Sequence, residues 1–247
     1  MCIKSPADLE KLKIIGSIVR KALDVTAAAV RPGITTAELD RIGDRVLVEN
    51  GAEASPPKVY NFPGALCISV NDEAIHGIPG ERVIRAGDLV KLDLVAEKDG
   101  YFADAAVTVC VGEVSATAAA LARCAESAFR QAAKVARAGN RINEIGRAVE
   151  KETRRCGFQV MRAFCGHGVG SAIHEAPQVL NYHDPGFQAK LTEGLVITIE
   201  PIIAAGKGKG VLQRDRWTIR TADGSLAAHY EHTLVITKGE PVLVTAD

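Results

Sequence analysis

Near the start of the chain, apolar residues recur at helical spacing: Leu9, Leu12, Ile15, Val19 and Leu23 fall on one face. Ser5-Pro6 supplies a capping side chain and a proline at the first helical position, and Pro32-Gly33 closes the pattern. A second helix is expected from Thr35-Thr36-Ala37-Glu38, which reads as a capping box, to Asn50-Gly51. From Ala65 to about Gly112 the pattern changes to short Val/Ile/Leu runs broken by turn residues such as Lys98-Asp99-Gly100, which predicts strands. An Ala-rich helical stretch follows over roughly 117 to 138, and another helix over about Arg141 to Cys156. From Val160 to Val244 the chain returns to strands and loops. No Pro/Ser-rich linker interrupts it, so one compact α+β domain is expected over 1–247.

The order helix, helix, strands appears twice, which prompts a search for a repeat. At an offset of 106, Arg31/Arg137, Gly33/Gly139, Glu38/Glu144, Arg41/Arg147 and Gly51/Gly157 coincide. At an offset of 107, Gly87-Asp-Leu-Val-Lys-Leu-Asp93 lies over Gly194-Leu-Val-Ile-Thr-Ile-Glu200. Both heptads run from a glycine through an apolar stretch to a carboxylate. Two duplicated αα-β halves, about 1–112 and 113–247, related by a pseudo-twofold axis, are therefore expected. Asp93 and Glu200 then face each other across that axis.

Composition narrows the function. Thirty Lys+Arg balance thirty Asp+Glu, and aromatics are only 4% of 247 residues. No basic field and few stacking platforms remain, so nucleic-acid recognition is not expected. Six cysteines are scattered without a C-x-x-C pair, which argues against a disulfide framework or structural zinc. No apolar run is long enough to span a membrane and no secretory leader is visible, so a cytoplasmic monomer is expected.

Chemistry concentrates in four places. Asp93 and Asp104 flank the hairpin turn expected at Lys98-Asp99-Gly100, which sets them opposite or nearly opposite each other. Carboxylates that close need a cation, a shared proton or solvent. His167 lies between glycines in Phe164-Cys-Gly-His-Gly-Val-Gly170, with His174 seven residues on, and glycines permit close backbone approach. His76 occupies a similar Ile-His context in the first half. Glu200 and Glu231 end or begin strongly β-prone apolar runs, and a buried acid there needs a partner. Two divalent cations balance the four acids.

Together these segments resemble the type I methionine aminopeptidases in their minimal bacterial form. The resemblance rests on Phe164–His174 through Val179-Leu-Asn-Tyr182, the Asp93/Asp104 pair, Thr198-Ile-Glu200-Pro201 and Tyr230-Glu231-His232-Thr233, and it covers nearly the whole chain. It implies the pita-bread fold, a curved antiparallel sheet within duplicated halves. It further implies two divalent ions (Fe, Mn, Co or Zn) held by Asp93, Asp104, His167, Glu200 and Glu231, with Glu200 also moving the proton of an activated water. His174 is expected to stabilise the oxyanion, His76 to bond the scissile amide, and Phe62, Cys67 and Trp217 to wall the methionine pocket. Val59 and Ile173 stand where well-known bacterial members commonly carry aromatics, and Pro56 replaces a frequent cysteine. His183, His229 and His232 receive no ligand role.

The implied reaction is hydrolysis of the first peptide bond of nascent chains whose second residue is small, with transient ribosome contact as an accompanying expectation. Two rivals share the fold: an Xaa-Pro aminopeptidase, which carries an extra amino-terminal domain, and a non-catalytic peptide-binding module, which usually lacks some ligands.

Overall fold

The structure is a computed structural model and describes residues 1–246. Helix α1 (Pro6–Ala29) and helix α2 (Thr36–Glu49) open the chain. They are followed by β1 (Glu53–Ala54), the short helix α3 (Ser55–Tyr60), β2 (Cys67–Val70), β3 (Glu73–Ile75), β4 (Leu89–Lys98) and β5 (Tyr101–Cys110). The second half again begins with a helix pair, α4 (Ala116–Val135) and α5 (Asn143–Arg155). Ten strands follow: β6 (Gln159–Val160), β7 (Cys165–Gly168), β8 (Glu175–Leu180), β9 (Val196–Ile199), β10 (Ile202–Ala204), β11 (Gly210–Leu212), β12 (Ile219–Thr221), β13 (Ala227–His229), β14 (Glu231–Val235) and β15 (Val242–Leu243).

The helix starts are set by the side chains that the sequence offers. Ser5 and Asp8 form a reciprocal capping box on α1, and Thr35 and Glu38 form one on α2. Each satisfies backbone donors that a helix start would leave unpaired, worth about 1 kcal/mol. Leu12, Ile15, Val19 and Ala22 of α1 are fully buried. They pack in one core with Val90, Leu92, Leu94 and Ala96 of β4 and Ala103 and Ala105 of β5. In the second half, Phe129 of α4 and Ile145 and Val149 of α5 share a core with Ile197 and Ile199 of β9 and Leu234 of β14. Both helix pairs therefore lie on one side of the sheet. Helix α4 stops at Val135, short of the expected 138, because Ala138 donates to Thr237 and leaves the helical path.

The main sheet has nine strands, with the path β1-β4-β5-β14-β9-β7-β8, β2 on β4 and β15 on β14. The β4–β5 hairpin turns through Asp99 and Gly100 alone, both at positive φ (52° and 82°), the tight two-residue geometry that suits strand twist. Side chains alternate between faces with a period of two. Since even-numbered residues of β4 meet the helices, Asp93 is left on the opposite face. The same alternation places Asp104 on β5, Glu231 and Thr233 on β14, and Thr198 on β9 away from the helices. His232, between Glu231 and Thr233, points to the helix side, where it lies against Phe129 and is hydrogen-bonded to Thr245 and Tyr230.

Candidate metal centre

Pairing registers put the acids in two adjoining rows. Asp93 lies opposite Ala106, and Ala106 opposite Glu231. Continuation of the β14–β9 register brings Glu200 beside Glu231. Asp93 and Glu200 thus stand on β4 and at the end of β9, the outer pair of four central strands, as the repeat predicts. One step along, Asp104 lies opposite Val95, while Thr233 bonds both the Asp104 amide and its carbonyl through its hydroxyl (2.9 and 2.8 Å). Asp93 and Asp104 are therefore diagonal neighbours on one face, the nearly opposite placement expected from the hairpin.

His167 reaches the same rows from β7. Gly168 pairs with Ile197, and the His167 amide donates to Thr198 Oγ1 (3.1 Å). The flanking glycines allow close approach rather than unusual torsions. A Cβ on Gly166 would meet the Thr198 carbonyl oxygen at 2.5 Å, and one on Gly168 would meet that of Ala176 at 2.3 Å. His167 Nδ1–H donates to the Gly168 carbonyl oxygen (2.9 Å), which leaves the Nε2 lone pair facing inward. That nitrogen stands 3.6 Å from Asp104 Oδ2 and 3.5 Å from Glu200 Oε1.

The donor set has the chemistry of a cation site. Asp104, Glu200 and Glu231 are 4%, 6% and 2% exposed, yet Asp104 Oδ1 and Glu231 Oε1 have no hydrogen-bond partner among the described residues. Burial, reinforced by neighbouring carboxylates, pushes all three carboxyls well above their usual range. Burial, then Asp104, pushes Asp93 up to about 7. Such a cluster is costly unless protonated or matched by positive charge. Asp104, His167 and Glu231 offer ligand atoms within 4.8 Å of one another, as do Glu200, His229 and Glu231, so two overlapping groups share Glu231. Asp93 lines the same cavity outside these two tight groups.

That cavity, about 780 Å³, also gathers the predicted substrate side. His76 and His174 border it, both held neutral by burial with pKa values lowered to about 4. His76 adopts φ of 56°, an uncommon left-handed backbone for a histidine. Phe62 and Trp217 meet edge to face at 5.2 Å, and Cys67 is buried as the Cα partner of Asp93. Ile173 and Pro56 line the wall, whereas Val59 is 47% exposed and outside the lining.

Two residues were missed by sequence reasoning. Tyr60, at the end of α3, places its hydroxyl 2.7 Å from His174 Nδ1. His229, expected to be solvated or to lie behind the ligands, is 1% exposed and has both ring nitrogens unpartnered among the described residues. No periodic signal marks either: Tyr60 ends a six-residue helix and His229 a three-residue strand.

A family model described as metallopeptidase family M24 matches residues 10–238. Methionine aminopeptidase 2 of Bacillus subtilis is 44% identical over 247 residues, 99% of each chain. The chain belongs to the methionine aminopeptidases of metallopeptidase family M24. A crystal structure of the methionine aminopeptidase from Thermotoga maritima superposes with a TM-score of 0.97 at 33% identity, covering all of both chains. Prolidase from Pyrococcus furiosus shares the fold alone, with a TM-score of 0.80 at 24% identity, and this chain spans only 66% of it. The M24 pita-bread fold and metallopeptidase class follow directly. No described helix is long and apolar enough to cross a membrane.

Proposed function

We propose that this protein removes the initiator methionine from polypeptide amino termini whose second residue is small, using two divalent ions. The supporting observation is the pair of donor groups sharing Glu231 inside a cavity that His76 and His174 also border. Residues 1–247 act as one catalytic domain with halves meeting near 112. Asp93, Asp104, His167, Glu200 and Glu231 would hold the ions. Iron, manganese, cobalt and zinc all suit carboxylates with imidazole. When bound, the ions lower the pKa of a water and polarise the scissile carbonyl.

The chain's own groups do the rest. Glu200 is oriented by the Thr198 hydroxyl (3.1 Å) and accepts the water's proton for delivery to the leaving amine. Neutral His174 donates a hydrogen bond to the developing oxyanion, and His76 holds the scissile amide. Asp93 sits where a free α-amine enters, which restricts cleavage to chain ends. Phe62, Cys67 and Trp217 hold the thioether, a flexible apolar group. With Ile173 in the wall rather than a ring, the slot accepts leucine and norleucine more readily.

The test uses metal-stripped protein reloaded with each ion and offered Met-Ala-Ser, Leu-Ala-Ser, norleucine-Ala-Ser and Xaa-Pro peptides. Met-Ala-Ser should be cleaved best, and Glu200→Gln should lower kcat by at least about 100-fold while keeping its fold. Preference for Xaa-Pro bonds, or full turnover by the chelator-treated enzyme, overturns the reading.

A further inference from the structure

His229 is the one buried imidazole on the acidic face that the proposed mechanism leaves without a task. Its backbone is tied to β5, since the Thr108 hydroxyl donates to the His229 carbonyl (2.7 Å) and accepts from its amide (3.0 Å). Extending the register that pairs Glu231 with Ala106 sets His229 level with Thr108, one step along the sheet from the acids. The ring stands beside Glu231, with Nε2 3.3 Å from Oε2. The two atoms nonetheless form no hydrogen bond, and Nδ1 has no partner either. A buried polar atom left unpaired costs about 1–3 kcal/mol, so two on one ring call for an explanation.

The arrangement of the donors supplies it. Two atoms that lie side by side without addressing each other are placed as neighbouring ligands of a third. For an ion with bonds of about 2.0–2.1 Å, the edge between two tetrahedral ligands is about 3.3 Å. The His229–Glu231 separation matches that edge, and the separations of His167 from Asp104 and Glu200 are only slightly longer (3.6 and 3.5 Å). Glu200, His229 and Glu231 also form a complete three-donor group with ligand atoms within 4.8 Å.

We propose that His229 is a direct metal ligand through Nε2, which gives this site a second imidazole beside His167 and a sixth protein ligand in all. A site with two imidazoles among its ligands favours cobalt, iron or zinc over magnesium, which prefers an all-oxygen shell. The assignment rests on the metal-binding reading of the site, and the experiment separates the two.

Metal-stripped protein is titrated with Co²⁺ and followed by calorimetry, visible d–d absorption, X-ray absorption and proton NMR. With two ions bound, the parent should show two exchangeable, hyperfine-shifted imidazole N–H resonances and about one imidazole for each cobalt. His229→Gln should keep one such resonance, bind the more weakly held ion at least about tenfold less tightly, and change the d–d spectrum. A single shifted imidazole resonance in the doubly loaded parent overturns the role of His229 while leaving the metal site intact. So does a His229→Gln protein with unaltered affinities and spectrum. Failure of the parent to bind Co²⁺ at all overturns the metal-binding reading itself. If the variant does not fold, judged by circular dichroism, the resonance count in the parent decides the question alone.

Discussion

A phenol is a stronger acid than a neutral imidazole N–H, and an imidazole nitrogen is a stronger base than a phenol oxygen. In the 2.7 Å contact between Tyr60 and His174, the proton is therefore assigned to the Tyr60 oxygen, with Nδ1 as acceptor. His174 then carries its own proton on Nε2, the form able to donate to an oxyanion. Burial supports this by holding the ring neutral, with its pKa lowered to about 4. Tyr60 is 41% exposed, so its removal disturbs little packing. Tyr60→Phe is expected to lower kcat about tenfold, the loss of about 1.4 kcal/mol in the transition state, with KM changed by less than about twofold. Nitrogen-15 shifts of His174 should move from one tautomer to a mixture. An unchanged kcat together with an unchanged tautomer would remove Tyr60 from the reaction.

At the level of elements, α4 and α5 are tied by Glu152, which receives Arg155 from its own helix (2.7 and 2.6 Å) and the Ser127 hydroxyl from α4. The Arg155 guanidinium, helped by Ser127, holds the Glu152 carboxyl down at about 2, against an ordinary value of 4.5. A folded pKa below the unfolded one means that the contact stabilises fully above about 4.5 and is lost as pH falls toward 2. Thermal melts of Glu152→Gln should therefore decline less steeply than the parent's between those values. Equal slopes would show the tie to be idle in solution. Elements of this kind were legible because caps and periodicity are local: Ser5-Pro6 and Thr35–Glu38 announced α1 and α2. The acids were legible through strand alternation, since Asp93 and Asp104 need only one hairpin to meet. Helix α3 was not legible. Its six residues begin Ser-Pro-Pro and are too few to show a period, yet they bring Pro56 and Tyr60 into the cavity wall. The burial of His229 was equally hidden, because it follows from the way β13 meets Thr108 of β5, a contact 121 residues apart in sequence.

For the whole molecule, the sheet gathers four acids that cannot all ionise on their own. Burial and mutual repulsion raise Asp93 to about 7 and hold Asp104, Glu200 and Glu231 well above the normal range, so the metal-free protein retains protons there at pH 6. Ligation requires the carboxylate form, so loading must expel those protons and the apparent affinity must rise with pH. The histidines work against this less than free imidazoles would, because burial lowers the pKa of both His167 and His229 and favours their neutral forms. Calorimetric titrations at pH 6 in two buffers of different ionisation enthalpy should give unequal heats, corresponding to release of at least about one proton for each pair of ions. The release should shrink as pH rises past 7, where Asp93 ionises unaided. Ion binding should also raise the melting temperature, because a ligand held at 100 times its Kd stabilises by about 2.7 kcal/mol. Identical heats in both buffers would mean that the acids are ionised before the ions arrive. The repulsion among them would then have to be relieved by solvent entering the cavity rather than by shared protons, and the melting temperature of the metal-free protein would lose its dependence on these carboxyls.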